Sequence, residues 1–280
     1  MQNQTRIIIE NVLPQLDGGI FAIKRIVGQK VRVTASVFSD GHDVIQCAVK
    51  FKHQSDKKWQ EIRMIPADND DWYCEFKVEK QGTYTYFVEG WVDYALNWQH
   101  GTERKIFDSQ QVKSELLEGA EYVKEILKLA SKEEKKYLDT VVKLFMTESE
   151  YDNGVREAIS HELTQIFKKY PTRFLANQSQ ELQVYVDREK ALFSTWYEFF
   201  PRSASQVEGK HGTFKDCETL LPRVAAMGFD TLYFPPIHPI GEVNRKGKNN
   251  ATNAEPGDVG SPWGIGSQYG GHKSTHPELG

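Results

Sequence analysis

Apolar positions recur with different periods along this chain, and the changes of period divide it into regions. From Arg6 to about residue 100 the pattern is that of strands. Arg6-Ile-Ile-Ile9 opens the series, and Pro14-Gln-Leu-Asp-Gly-Gly19 is a turn rich in residues that fix φ or tolerate positive φ. Lys30-Val-Arg-Val-Thr-Ala-Ser-Val37 alternates, with Val31, Val33, Ala35 and Val37 on one face. Val44–Phe51, Gln60–Met64, Trp72–Val78 and Gly82–Trp91 follow, separated by turn signals at Ser39-Asp-Gly41 and Asn69-Asp-Asp71. Short strands at this spacing predict a β-sandwich. Trp and Tyr on these strands are read as packing residues, not as a carbohydrate surface.

The period then lengthens. Gln111–Ala130 carries Leu116, Ala120, Val123, Ile126, Leu127 and Ala130 at helical spacing. Ser131-Lys-Glu-Glu134 has the form of a capping box and opens a second helix with Leu138, Val141, Val142 and Phe145. Glu150–Gly154 reads as a break, and a third helix carries Val155, Ala158, Ile159, Leu163, Ile166 and Phe167. Alternation returns at Glu181-Leu-Gln-Val-Tyr-Val186, so the helical bundle is expected to interrupt the sandwich. Next come an expected buried strand at Trp196–Phe200, a helix from Thr213 to Met227 stopped by Gly228, and a second buried strand at Asp230–Phe234. A strand, helix and parallel strand in this order form a βαβ unit.

The last fifty residues follow neither period. They are dense in Gly, Pro and Asn, yet they contain Ile237, Ile240, Trp263 and Ile265. A long irregular segment directly after a strand is expected to build a site. In a (β/α)8 barrel it would lie on the face that carries the chemistry.

Composition narrows the picture. With 280 residues, 39% hydrophobic and 12% aromatic, the chain holds ordinary cores in roughly two domains. A net charge of −4 without a basic block argues against nucleic acid as a partner. The three cysteines, Cys47, Cys74 and Cys217, are far apart and without metal spacing, so buried reduced thiols are expected. His161-Glu162 lacks a second His four residues on and is not a zinc motif. No metal or other cofactor is expected. No apolar run reaches the length of a membrane span, and the protein is read as soluble and cytoplasmic, with no membrane partner.

Four stretches carry a resemblance: Trp196-Tyr-Glu-Phe-Phe-Pro-Arg-Ser203, Pro235-Pro-Ile-His-Pro-Ile-Gly241, Arg245-Lys-Gly-Lys-Asn-Asn250 and Gly257-Asp-Val-Gly-Ser-Pro-Trp-Gly-Ile-Gly-Ser267. With Arg6–Val12, Leu16–Gly19 and Lys24-Arg25, they closely resemble the α-1,4-glucan:maltose-1-phosphate maltosyltransferases of the α-amylase clan. The resemblance implies a β-sandwich over 1–110, resumed at about 178–195, a helical insertion over 111–177, and the start of a truncated (β/α)8 barrel over 196–280. It implies maltosyl transfer from α-maltose 1-phosphate to the non-reducing end of an α-1,4-glucan, with retention and release of phosphate. It also implies a homodimer formed through the sandwich and the helical insertion.

In that family the nucleophilic Asp and the acid/base Glu lie on later barrel strands, so they are expected after Gly280. The 280 residues alone would be inactive. None of Glu242, Glu255, Asp258 or Glu278 is assigned to replace them. Lys246 matches the motif lysine that contacts the donor, with Arg245 and Asn250 as further substrate-binding candidates. An ammonium is a suitable point charge and multiple donor for phosphate or sugar oxygens. Trp263 could stack on a sugar or pack beneath the loop, and His238 and His272 are read as loop hydrogen-bonders. Rival expectations are another amylase-clan hydrolase or branching enzyme, or a non-catalytic dimerisation or glucan-binding module.

Overall fold

The computed structural model describes residues 5–173 and 175–280. The chain divides into two compact units, Met1–Arg188 and Glu189–Gly280.

The first unit contains strands β1 (Ile7–Leu13), β2 (Ile23–Ile26), β3 (Lys30–Ser39), β4 (Ile45–His53), β5 (Gln60–Arg63), β6 (Ile65–Pro66), β7 (Asp71–Lys77) and β8 (Gly82–Val92). Five helices follow: α1 (Tyr94–Phe107), α2 (Lys113–Leu127), α3 (Lys132–Met146), α4 (Tyr151–Ala158) and α5 (His161–Lys169). The chain then returns to strand in β9 (Asn177–Gln178) and β10 (Leu182–Asp187). One sheet has the order β1-β3-β7-β6, and the other β2-β10-β8-β4-β5 with β9 beside β8. Their inward residues share one core, which gives a sandwich-like layering. The alternation of β3 is realised directly: Val31, Val33, Ala35 and Val37 are buried between exposed or half-buried neighbours. Each of the three valines removed from water stabilises by roughly 1.5–3 kcal/mol, and Ala35 by less.

β8 is buried on both faces. Tyr84, Tyr86 and Val88 join the sandwich core, while Trp91 points the other way and is fully buried. The Arg63 and Arg173 guanidinium carbons lie 4.5 and 4.2 Å from the centre of the Trp91 ring. Arg173 also pairs with Glu61 at 2.6 Å and with Glu89. Burial opposes the ionised form of Glu61, but the hydrogen bond and charge of Arg173 outweigh it and hold the carboxyl below its ordinary value.

The helices pack around Trp98 of α1, whose ring meets Tyr122, Phe145 and Phe167. Its indole N–H donates to the Glu115 carbonyl at 2.7 Å. Gly119 of α2 lies beneath this ring, and a Cβ there would stand 2.1 Å from Trp98 Cζ2. The Ser131 capping box forms at the start of α3.

Four features differ from the sequence-based expectation. Helix begins at Tyr94, not near residue 111. Asp93 caps α1 by accepting from the Leu96 N–H, and the buried Gln99 and Thr102 interrupt the apolar period that would have revealed this helix. The expected break at Glu150–Gly154 falls earlier, and the expected third helix is two, divided where Ser160 caps α5 through Leu163 N. The return to the sandwich ends with β10 at Asp187, and residues from Glu189 belong to the second unit. Finally, the buried strands expected at Trp196–Phe200 and Asp230–Phe234 span only Trp196–Glu198 and Thr231–Tyr233, with Trp196 and Tyr233 exposed. As expected, the three cysteines are free and buried. Burial pushes the Cys74 thiol up to about 12.

Candidate functional site

The second unit is built on β11 (Trp196–Glu198), α6 (Phe214–Ala226) and β12 (Thr231–Tyr233). The strands pair in parallel, Trp196 with Thr231 and Glu198 with Tyr233. Thr213 and Asp216 form a capping box that starts α6, and Gly228, at φ 87°, ends it. Parallel strands send both following segments out at the same end of the sheet. Phe199–Ser203 and the long loop from Phe234 are therefore neighbours.

The loop is ordered by bonds among its own backbone groups. Ile240 bridges Ile265, Gly266 N donates to Pro239 O at 3.0 Å, and His276 N donates to Ile237 O at 2.8 Å. Arg245 is the clasp. Its Nε donates to Gly241 O at 2.9 Å, and its terminal nitrogens donate to Asp258 O and Ile240 O, each at 3.2 Å. At Gly247 a Cβ would lie 2.2 Å from Asn253 O, so only glycine admits this backbone approach. Asn249 and Asn250 both adopt positive φ, a conformation asparagine tolerates better than most residues. The apolar residues behave unequally: Ile240 is buried, Ile237 and Ile265 are half-buried, and Trp263 is exposed.

These constraints shape a cleft of about 390 Å³. Lys246, Gly247, Lys248, Asn249 and Asn250 line one side, Gly257–Trp263 another, and Phe200 and Arg202 contribute from the segment after β11. Lys246 and Asn250 thus come together in the cleft, whereas Arg245 is spent on holding the loop and does not line it. Among the described residues, Lys246 has neither a hydrogen-bond nor an ion-pair partner for its ammonium. The Arg202 guanidinium makes a long contact with Gly260 O at 3.4 Å and lies 5.6 Å from the centre of the Phe200 ring, and burial lowers it below the ordinary value. Asp258 is the carboxylate of the cleft, and its Oδ2 accepts the Glu255 N–H at 2.8 Å. Three cations, Arg202, Lys246 and Lys248, face one engaged carboxylate, so the cleft favours electron-rich ligand oxygens.

Arg202, Lys248 and Asn249 were not singled out from sequence. Arg202 was findable, because it directly follows the first strand of a βαβ unit and so emerges beside the loop that follows the second. Trp263 lines the cleft instead of packing beneath the loop. His238 Nδ1 lies 3.0 Å from Ser274 O, as a loop hydrogen-bonder should, and its ring stands 5.6 Å from that of His272. His211, His276 and Glu278 bring potential ligand atoms within 4.8 Å of one another. However, His276 Nδ1 accepts the Glu278 N–H at 3.3 Å. In a neutral imidazole that leaves the proton on Nε2, so the pair of histidines does not offer two free lone pairs to a metal.

Comparison with known proteins accords with this architecture. The family profile described as α-1,4-glucan:maltose-1-phosphate maltosyltransferase, domain N/S, matches residues 5–188. A maltosyltransferase of that name from Methylacidiphilum infernorum is 44% identical over 282 residues, covering 100% of this chain and 42% of the relative. Its counterpart from Chlorobaculum tepidum is 43% identical, covering 98% of this chain and 41% of the relative. That from Myxococcus xanthus is 41% identical, covering 98% and 42%. The chain therefore spans about two fifths of the length of the curated relatives it matches. Since the profile covers more than half of the chain, this chain belongs to the α-1,4-glucan:maltose-1-phosphate maltosyltransferase family.

Proposed function

We propose that the protein to which these residues belong transfers maltosyl units from α-maltose 1-phosphate to the non-reducing end of α-1,4-glucans, with retention. The cleft helps to hold the donor. The observation that carries this reading is Lys246, an ammonium without a partner among the described residues, in a cleft that Lys246–Asn250 help to line. In the first step a carboxylate attacks the anomeric carbon, the C–O bond to phosphate breaks, and phosphate leaves with the bonding electrons. In the second, a glucan hydroxyl attacks the glycosyl-enzyme, releases the carboxylate and gives its proton to the paired base. Retention by this route needs two carboxyl groups roughly 5–5.5 Å apart. Among the described residues Asp258 is the one carboxylate lining this cleft, and the catalytic pair is assigned to other strands of the barrel.

On this reading β11, α6 and β12 form the first βαβ unit of a (β/α)8 barrel, and Lys246 lies where such barrels place their sites. The parallel register of β11 and β12 supports that assignment. A homodimer formed through the first unit and a cytoplasmic setting belong to the same proposal. The free, buried cysteines fit a reducing compartment, and among the described residues no helix is long and apolar enough to cross a membrane.

The test is phosphate release from maltose 1-phosphate by the full-length protein, with and without glycogen. Release coupled to glucan growth is expected, and none from residues 1–280 alone. Hydrolysis without chain growth would replace the transferase by a hydrolase. Lys246→Ala should lower kcat/KM for the donor about tenfold, the loss of one charge-assisted hydrogen bond of about 1.4 kcal/mol. Unchanged kinetics would return Lys246 to an ordinary surface role.

A further inference from the structure

We propose that Trp263 is the sugar-stacking and specificity-determining residue of this cleft, an assignment that rests on the donor-binding reading above. Trp263 lines the concave site beside Lys246, Asn250 and Ser261. An aromatic ring that lines a concave polar site offers a ligand a flat apolar face. Phe200 meets the indole at 82° with ring centres 5.8 Å apart, which braces the ring without closing it off. Pro262, buried beside it, fixes the backbone on the other side.

The surrounding chemistry selects the ligand class. Asn249, Asn250 and Ser261 supply uncharged donors and acceptors to the same cleft, and Lys246 adds an ammonium. A flat apolar face ringed by such groups suits a pyranose, which carries C–H bonds on one face and hydroxyls around its edge. A bare phosphate would use the cations and leave the indole in water. The division of labour follows: Trp263 reads the sugar, and the charged groups read oxygen atoms. Among the described residues the Trp263 N–H has no protein partner and is available to a hydroxyl.

The experiment compares wild-type, Trp263→Ala and Trp263→Phe full-length protein by three readouts: donor KM, inhibition by maltose and inhibition by inorganic phosphate. Trp263→Ala is expected to raise the donor KM and the maltose inhibition constant together, about tenfold, and to leave the phosphate inhibition constant unchanged. Trp263→Phe, which keeps an aromatic face, should recover most of both losses. Equal weakening of maltose and phosphate would show a merely structural role and overturn the proposal, as would unchanged maltose inhibition in an active Trp263→Ala enzyme. If the wild type does not turn over maltose 1-phosphate, the functional reading fails by itself. Calorimetric titration of maltose into wild type and Trp263→Ala then still decides the stacking role: weaker binding to the variant supports it, and equal or absent binding to both overturns it.

Discussion

The β-sandwich and the loop that follows β12 reach order by different means. In the sandwich, side chains decide. β3 buries Val31, Val33, Ala35 and Val37 against the opposing sheet, and a shift of one residue would expose all four. In the loop, backbone groups decide. Arg245 alone ties up three carbonyls, and Gly247 passes under Asn253 O where no side chain fits. A hydrophobic core tolerates small shifts in where each atom lies. A loop held by directed bonds fixes atoms individually, which is what a binding site needs.

Three substitutions probe that contrast. The largest effect is expected from Trp98→Ala in the helical cluster. It removes a ring packed on three aromatic neighbours and should cost about 3–5 kcal/mol in urea unfolding. Gly247→Ala should weigh on function more than on stability, costing about 1–3 kcal/mol but lowering donor kcat/KM on the order of tenfold or more, because the loop must shift to clear Asn253 O. A Gly247→Ala protein that unfolds as early as Trp98→Ala would erase the distinction between order set by packed side chains and order set by backbone bonds.

The smallest effect concerns Glu134 at the start of α3. Its hydrogen bonds from Lys169, Ser131 and Tyr170 hold its carboxyl down to about 2, against an ordinary 4.5. A carboxyl with a lowered folded value contributes stability above its unfolded value and loses it as pH falls. The melting temperature of the wild type should therefore drop more steeply than that of Glu134→Gln as pH falls from 4.5 toward 2. Parallel curves would show that the exposed hydrogen-bond cluster contributes nothing measurable.

What could be read from sequence divides along the same line. Alternation located β3, and local chemistry located the Ser131 cap and the Gly228 stop, because each signal lies within a few neighbouring residues. Helix α1 escaped because Asp93, Gln99 and Thr102 are polar yet buried, paired or enclosed by groups distant in sequence. Gln99, for example, donates to Ala158 O. At the candidate site the motif pointed to Lys246 and Asn250. It could not separate Arg245, whose carbonyl partners reach across to Asp258, from the residues that line the cleft. Nor could it show that Trp263 lines the cleft, since that depends on where Phe200 is brought from elsewhere in the unit.

The order β2-β10-β8-β4-β5 has a consequence in time. β2, near the start of the chain, is joined to its sheet only through β10, whose residues are made about ninety positions after the end of β8, counting from Val92 to Leu182. While the chain is being synthesised, β2 waits without a partner and one edge of β8 stays open through the making of all five intervening helices. Contacts of such wide separation in sequence are slow to form. The bundle has every means to fold first, from local contacts, and by doing so it shortens the effective loop that β10 must close. The helices thus stand in the assembly order between two halves of one sheet, and the last strand of that sheet to be made is the one that gives β2 its partner.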